Sequence, residues 1–357
     1  MSDPGAVPGL GVAPCAHGRP PATGAIRREA EDFVVDEVLG FAPEGTGHHG
    51  LLVVEKRGAN TGWVASQLAR HAGVAVRDVG FSGQKDRHAL TTQAYSLPLP
   101  ALFDVAQCLE WQGEGYAVRA AYRHGRKLRP GSHRANRFVL RIRDLRGDRD
   151  AIEGCLAAIR EHGVPNYFGP QRFGREGGNL RRATAWARGA AGPSDRAQRG
   201  FTLSAARSHV FNAVLAARVA RGDWNRLLPG EAVMLDGRRS FFIAESADAA
   251  LEARRVAMDV HPSGPLPGRG ATPATALARE LEDSVVALHA DLAALLASER
   301  TDHERRSLRL PVRDFDWTFG DDDSLVLRFV LPRGTFATAV LHEVLADAWD
   351  AGEGGEE

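Results

Sequence analysis

The sequence predicts a globular chain of mixed α and β structure, and three observations predict it. Apolar, β-branched runs, Phe33 to Val38 and Leu51 to Lys56, are bounded by glycines and suit strands. From Phe138 to Arg143 apolar and basic residues alternate with period two, as on a sheet with one wet, positive face. A helical period follows, with Ile152, Cys155, Leu156 and Ile159 at i, i+3, i+4 and i+7. At 357 residues and 43% hydrophobic, the chain can fill real cores in one large domain or two ordinary ones.

Taken in order, residues 1–22 are rich in Pro, Gly and Ala with few large apolar side chains, which predicts a flexible arm. The strands at 33–38 and 51–56 are joined through the loop Gly45-Thr46-Gly47-His48-His49-Gly50, whose histidines have no partner at metal spacing and read as loop residues. Asn60 or Thr61 caps a helix through Ala69. The helix around Ile152 has Asp150 at its start and Gly163 as its stop. Gly189 to Ser194 suggests a boundary, after which Ser204 can cap a helix running past Phe211, Val214 and Leu215. Pro262 to Pro273 is dense in Gly and Pro and predicts a loop. Leu277, Leu281, Leu288, Leu292 and Leu295 space out one long amphipathic helix. Leu325 to Leu331 reads as a buried strand, a helix follows Gly334, and Ala351 to Glu357 forms an acidic tail.

No run reaches the roughly 18 to 20 apolar residues of a membrane helix, and Met1 to Pro21 lacks the pattern of a signal peptide. A cytoplasmic location without membrane association is the expectation. Cys15, Cys108 and Cys155 are far apart and form no CxxC or Cys/His pair, so neither a disulfide framework nor a metal is expected. No Walker-type GxxxxGK[ST] and no GxSxG elbow is present. The formal net charge of zero argues at first sight against a polyanion partner. The charges are segregated, however: Tyr122 to Arg143 holds eight Arg or Lys and no acid, whereas Glu343 to Glu357 holds six acids and no Lys or Arg. Such segregation suits a positive face for nucleic acid, and equally a solvated charged surface.

Three segments hold residues that can carry chemistry. In Phe81 to His88, Asp86 stands between Lys85 and Arg87, and flanking cations favour the ionised carboxylate that a nucleophile or base requires. Gly83 permits close backbone approach, and Thr91 and Gln93 supply hydrogen-bonding groups. By local chemistry alone, a loop salt bridge or a capping aspartate is the simpler account. The second segment, Asn166 to Gly174, interleaves Tyr167, Phe168 and Phe173 with Asn166 and Arg172: rings to stack on a flipped-out base, an amide for its edge and a charge for phosphate. An aromatic core plug under a Gly-Pro turn fits as well. The third, Leu331 to Thr338, is a strand-to-helix turn whose amides can face an anion.

With these residues in place, the chain resembles the TruD family of tRNA pseudouridine synthases. The blocks Glu31-Asp32-Phe33-Val34-Val35, Gly83-x-Lys85-Asp86-x-x-Ala89-x-Thr91-x-Gln93, Val164-Pro165-Asn166-Tyr167-Phe168-Gly169-x-Gln171-Arg172-Phe173-Gly174, Leu203 to Ser208 and Leu331-Pro332-x-Gly334-x-Phe336-Ala337-Thr338 fall in the family's order across about residues 24–345. The resemblance implies an α+β fold: a catalytic domain with a mainly antiparallel sheet flanked by helices, over 23–191 and 315–350, plus an inserted domain at 192–314. It implies isomerisation of uridine 13 of tRNA without cofactor or metal, with Asp86 as the catalytic carboxylate, either a nucleophile at the sugar carbon or a base in a glycal route. Phe33, Asn166, Phe168 and Phe336 match uridine-pocket positions, Phe168 as the ring that stacks on the base, and Lys85 is placed with them. Arg27 matches a basic residue that pairs with Asp86, although Arg28 is adjacent. Arg123, Arg126, Lys127, Arg129 and Arg172 become expected contacts to the tRNA backbone. tRNA is the expected partner, and the oligomeric state is left open by the sequence, with a monomer as the default expectation. The alternative, a noncatalytic RNA-binding or tRNA-folding protein, would keep the fold and the basic face without requiring Asp86; a different enzyme acting on flipped bases is a third reading.

Overall fold

The computed structural model describes residues 13–346, which divide into two compact units. The first comprises Thr23–Arg146 and Arg313–Gly334 and is built on a ten-stranded sheet. Its principal strands are β1 (Phe33–Val38), β2 (His49–Arg57), β3 (Leu90–Pro98), β4 (Tyr116–His124), β5 (Ala135–Gly147), β6 (Arg313–Gly320) and β7 (Ser324–Pro332). They lie side by side in the order β6-β7-β5-β1-β3-β2-β4, with short strands at Ala22–Ala25, Gly80–Phe81 and Gln112–Gly113 added to β5, β3 and β4. Only the β1–β3 pair is parallel in this series; the other neighbours run antiparallel, as expected for the fold.

Period-two patterning sets the faces. In β5 Phe138, Leu140 and Ile142 are buried, and Arg137, Arg141 and Arg143 alternate with them. Phe138 stacks on Phe329 of β7 with ring centroids 5.3 Å apart and meets Phe33 of β1 edge-on at 6.2 Å. Helix α1 (Thr61–Ala72), with Asn60 at its N-cap, buries Val64 and Leu68 against Leu52, Val54, Tyr95 and Leu97 of the central strands. It ends at Gly73, whose φ of 67° few other residues adopt cheaply.

The second unit takes residues 13–22, Gly147–Val312 and residues 335–346. Its helices are α2 (Arg149–His162), α3 (Gly178–Ala187), α4 (Arg196–Ala220), α5 (Ala249–Val256), α6 (Ala276–Ala287), α7 (Ala290–Ser298) and α8 (Ala337–Val344). Phe211 and Leu215 of α4 share a core with Leu180 of α3, Leu292 and Leu296 of α7, and Tyr167 and Phe168. Gly163 stops α2 as expected; at its φ of 74° an added Cβ would lie 2.4 Å from the Leu310 carbonyl oxygen. No helix among the described residues is long and apolar enough to cross a membrane.

Several boundaries differ from the sequence expectation. α2 is capped by Asp148, which accepts from the Ala151 amide, rather than starting at Asp150. α4 begins at Arg196 under Asp195, whose carboxylate accepts from the Gln198 amide; Ser204 lies inside the helix and accepts from Arg172. The single long helix from Leu277 is two, α6 and α7, separated at Leu288 and His289. Leu288 is 80% exposed, so its apparent place in one apolar stripe is a coincidence of spacing. Within the Gly-Pro segment, Ser263–Leu266 pairs antiparallel with Glu304–Ser307, because backbone pairing at a two-stranded edge tolerates Pro265.

The expected flexible arm needs correction where it is described. Glu343 of α8 accepts hydrogen bonds from the amides of Ala16 and His17, Tyr167 donates to the Pro14 carbonyl, and His17 meets the Gly163 carbonyl. Fixed backbone partners, invisible in composition, hold residues 13–17. The acidic tail at 351–357 lies outside the described residues.

Burial raises the Glu343 pKa to about 7, against the two amide donors that favour its charged form. A carboxyl raised in the folded state contributes most below its unfolded pKa, and that contribution is lost as pH rises toward 7. Between pH 5 and 8 the wild type should therefore lose about 1–3 kcal/mol of unfolding free energy relative to Glu343→Gln, as measured by urea denaturation at each pH.

Candidate active site

Asp86 sits in the loop that leads from the Gly80–Phe81 strand into β3. Side chains from three neighbouring elements fix that loop. The Thr61 hydroxyl, at the first residue of α1, accepts from the Lys85 amide at 3.0 Å and donates to the side-chain oxygen of Gln93 on β3 at 3.0 Å. The Gln93 amide nitrogen in turn donates to the Gly83 carbonyl at 3.1 Å. From β2, the Lys56 ammonium donates to the carbonyls of Lys85 at 3.2 Å, Asp86 at 2.9 Å and Ala59 at 3.0 Å.

The Asp86 carboxylate is left accessible at one side, its side chain 19% exposed. One oxygen accepts from the His88 amide at 2.9 Å and the other pairs with the Arg27 guanidinium at 2.9 Å. Arg27 is thus the partner, and Arg28 pairs with Asp144 instead. Arg27 has a φ of 60°, an uncommon conformation for a non-glycine residue, and its guanidinium lies 4.3 Å from the centre of the Phe33 ring. The sheet unit therefore brings together Asp86, Arg27 and Phe33. Lys85 turns elsewhere: its ammonium forms a buried ion pair with Glu37 at 2.9 Å.

The aromatic segment belongs to the helical unit. The Phe168 backbone is clamped by Asn212 of α4, which accepts from its N–H and donates to its carbonyl, both at 2.9 Å. Around the Phe168 ring stand Phe336 at 6.3 Å, Phe211 edge-on at 5.6 Å, and the guanidiniums of Arg306 at 4.0 Å and Arg172 at 5.1 Å. Arg306 also donates to the Asn166 side-chain oxygen at 2.5 Å, and the Asn166 amide nitrogen donates to the Ser307 carbonyl at 2.9 Å. Burial drives the Arg306 pKa down to about 9, helped by the like charge of Arg172. Asn166, Phe168, Phe336 and Arg172 are thus one cluster: two cations and three rings around an amide. Arg172 lies against the rings, with one nitrogen donating to Ser204 at 3.1 Å.

Of the basic stretch, Arg126, Lys127 and Arg129 are exposed and line a shallow pocket with Phe41, His124 and Ser132. Lys127 also donates to the Arg77 carbonyl. Arg123 braces a loop, donating to the carbonyls of Leu99, Pro100 and Phe103. Among the described residues, no group of three or more His, Cys, Asp or Glu could hold a metal ion, and all three cysteines are free thiols.

Sequence reasoning missed Lys56, Glu37, Asn212 and Arg306. Lys56 alone left a signal, because it follows Leu52 and Val54 at period two and so falls on a buried face of β2.

Known proteins resemble the chain along its length. The family model described as tRNA pseudouridine synthase D (TruD) matches residues 10–185 and 179–344. A protein of Nitrosococcus oceani named tRNA pseudouridine synthase D is 48% identical over 330 residues, covering 92% of each chain. A protein of the same name from Pseudomonas putida strain F1 is 45% identical over 342 residues, covering 96% of each. In three dimensions, the crystal structure of a Methanosarcina mazei protein bearing that family name superposes with a TM-score of 0.71 at 19% identity, over 94% of this chain and 96% of the other, which shows a shared fold.

Thr61→Val preserves shape but leaves the Lys85 amide and the Gln93 side-chain oxygen unpaired. It should lower unfolding free energy by about 1–3 kcal/mol in urea denaturation and speed amide hydrogen exchange across residues 83–88.

Proposed function

The chain belongs to the TruD family of tRNA pseudouridine synthases, and we propose that it isomerises uridine 13 of tRNA to pseudouridine with Asp86 as the catalytic carboxylate. The observation that carries this reading is the Asp86 carboxylate itself, held by Arg27 at 2.9 Å and the His88 amide at 2.9 Å on a loop anchored to the sheet. A carboxylate used for covalent or base catalysis has to be oriented before substrate arrives, and these donors orient it.

The reaction exchanges one glycosidic bond for another within a single nucleotide. The bond from C1′ to N1 of uracil breaks, the base turns, C1′ bonds to C5, the C5 proton leaves, and N1 gains a proton. No atom is gained and no net oxidation occurs, so the chemistry requires neither a group donor nor a redox cofactor. Asp86 acts either by attacking C1′ or by removing a sugar proton in a glycal route; both need the same carboxylate at the same sugar. The uridine must leave its stack to reach a carboxylate on a protein loop. Phe168, Phe336 and Asn166 are suited to receive it: a ring to stack on the base and an amide for its edge. Phe33 and Arg27 stand beside Asp86 in the sheet unit and act there with it, and Arg126 and Arg129 contact the tRNA backbone. In this reading, 23–191 and 315–350 are the catalytic domain, 192–314 is the family's insertion, and the enzyme works in the cytoplasm, where its substrate is.

Incubating the protein with unmodified tRNA and mapping pseudouridine at single-nucleotide resolution should place the product at position 13. Product elsewhere overturns the site assignment, and no product from folded protein overturns the enzyme reading in favour of noncatalytic RNA binding. Asp86→Asn should abolish turnover with tRNA affinity within about twofold of wild type, checked by filter binding. Reversing charge at Arg126 and Arg129 together should weaken binding and reduce the slope of log K against log salt by about 2.

A further inference from the structure

Lys56 is buried to 1% exposure, yet among the described residues no carboxylate lies within salt-bridge distance of its ammonium. A cation taken out of water ordinarily requires a paired anion. Here its three N–H donors are all spent on backbone carbonyls, those of Ala59, Lys85 and Asp86. Two of the three belong to the loop that presents Asp86, one to Asp86 itself. A neutral side chain of this length could not satisfy three carbonyls, and a hydrophobic one would satisfy none.

We propose that Lys56 is a positioning residue for the reaction at Asp86: by gripping the carbonyls of Lys85 and Asp86 from beneath, its ammonium sets the direction in which the Asp86 carboxylate points. This rests on the reading of Asp86 as the catalytic carboxylate. The grip comes from a different element than Arg27 and reaches the backbone, so it complements the ion pair at the carboxylate. Arg27 holds the end of the side chain; Lys56 holds its root. Thr61 fixes the Lys85 amide on the other side of the same peptide segment, so residues 85 and 86 are held through both an N–H and two C=O groups.

Burial lowers the Lys56 pKa to about 8, with the Asp86 charge raising it and the Lys85 charge lowering it. Its cross-strand neighbours are Thr91 on β3 and Tyr116 on β4. Deprotonation removes one of three donors and turns a lone pair toward a carbonyl, so the grip is complete below about pH 8 and fails above it.

The experiment is single-turnover pseudouridine formation on unmodified tRNA transcript, with enzyme in excess and varied, from pH 6.5 to 9.5, for wild type, Lys56→Met and Lys56→Arg. Lys56→Met should cut the maximal rate at least tenfold with the half-saturating enzyme concentration within about twofold of wild type. Lys56→Arg, which keeps a permanent charge and several donors, should recover most of that loss and move the alkaline fall of the rate upward by a pH unit or more. A wild-type rate in Lys56→Met overturns the inference, as does a wild-type rate that stays flat through pH 9.5. If Lys56→Met does not fold, the shift between wild type and Lys56→Arg still decides: superimposable alkaline limbs overturn it. Absence of product from wild type is a failure of the proposed function, and is distinguished by that control.

Discussion

A single hydroxyl, that of Thr61, ties α1 and β3 to the loop that carries Asp86, and Lys56 of β2 holds the same loop. Thr61 receives the Lys85 amide and gives its proton to Gln93, which holds Gly83, and Lys56 takes the carbonyls of Lys85 and Asp86. An irregular segment without such partners would have to satisfy its backbone with water and would sample many conformations. Because the partners come from α1, β2 and β3, the loop is as rigid as the packing of Val64 and Leu68 on the central strands. The placement of Asp86, its pairing with Arg27 and the contact of Arg27 with Phe33 all follow from that anchoring. Arg27 itself holds a left-handed backbone, a local cost that persists because the ion pair and the ring over-determine it.

The second cluster solves a different problem. Burial lowers the pKa of both Arg306, to about 9, and Arg172, and the like charge of Arg172 lowers that of Arg306 further. The face of the Phe168 ring and the Asn166 oxygen compensate, one through its quadrupole and the other through a charge-assisted hydrogen bond. The arrangement keeps an aromatic ring beside positive charge. Elsewhere in the same unit, buried charge is matched in the ordinary way, Arg305 with Glu282 and Arg218 with Asp223 and Glu231.

Charge along the sequence proved a partial guide. Net neutrality concealed a basic stretch, yet its members have different duties: Arg123 braces loop carbonyls, Arg143 pairs with the buried Asp32, and Arg126 and Arg129 face solvent. Residue type alone could not sort them, because a guanidinium serves a carbonyl, a carboxylate and a phosphate equally well.

The sequence by itself determined the mixed fold class, the period-two faces of β5, the stop of α2 at Gly163 and the ordered blocks by which the chain resembles its family, which include Asp86, Asn166, Phe168 and Phe336. These are local properties: alternation, capping chemistry and short blocks of residues are legible along the chain. Tertiary structure decided what depends on residues far apart. It chose Arg27 over Arg28 for Asp86, turned Lys85 toward Glu37, anchored the start of the described chain through Glu343, divided the leucine-rich stretch into α6 and α7, and placed Lys56 beneath the Asp86 loop, 30 residues away in sequence. In each case two or more partners compete for the same donor or face, and only their distances in the folded chain settle the choice.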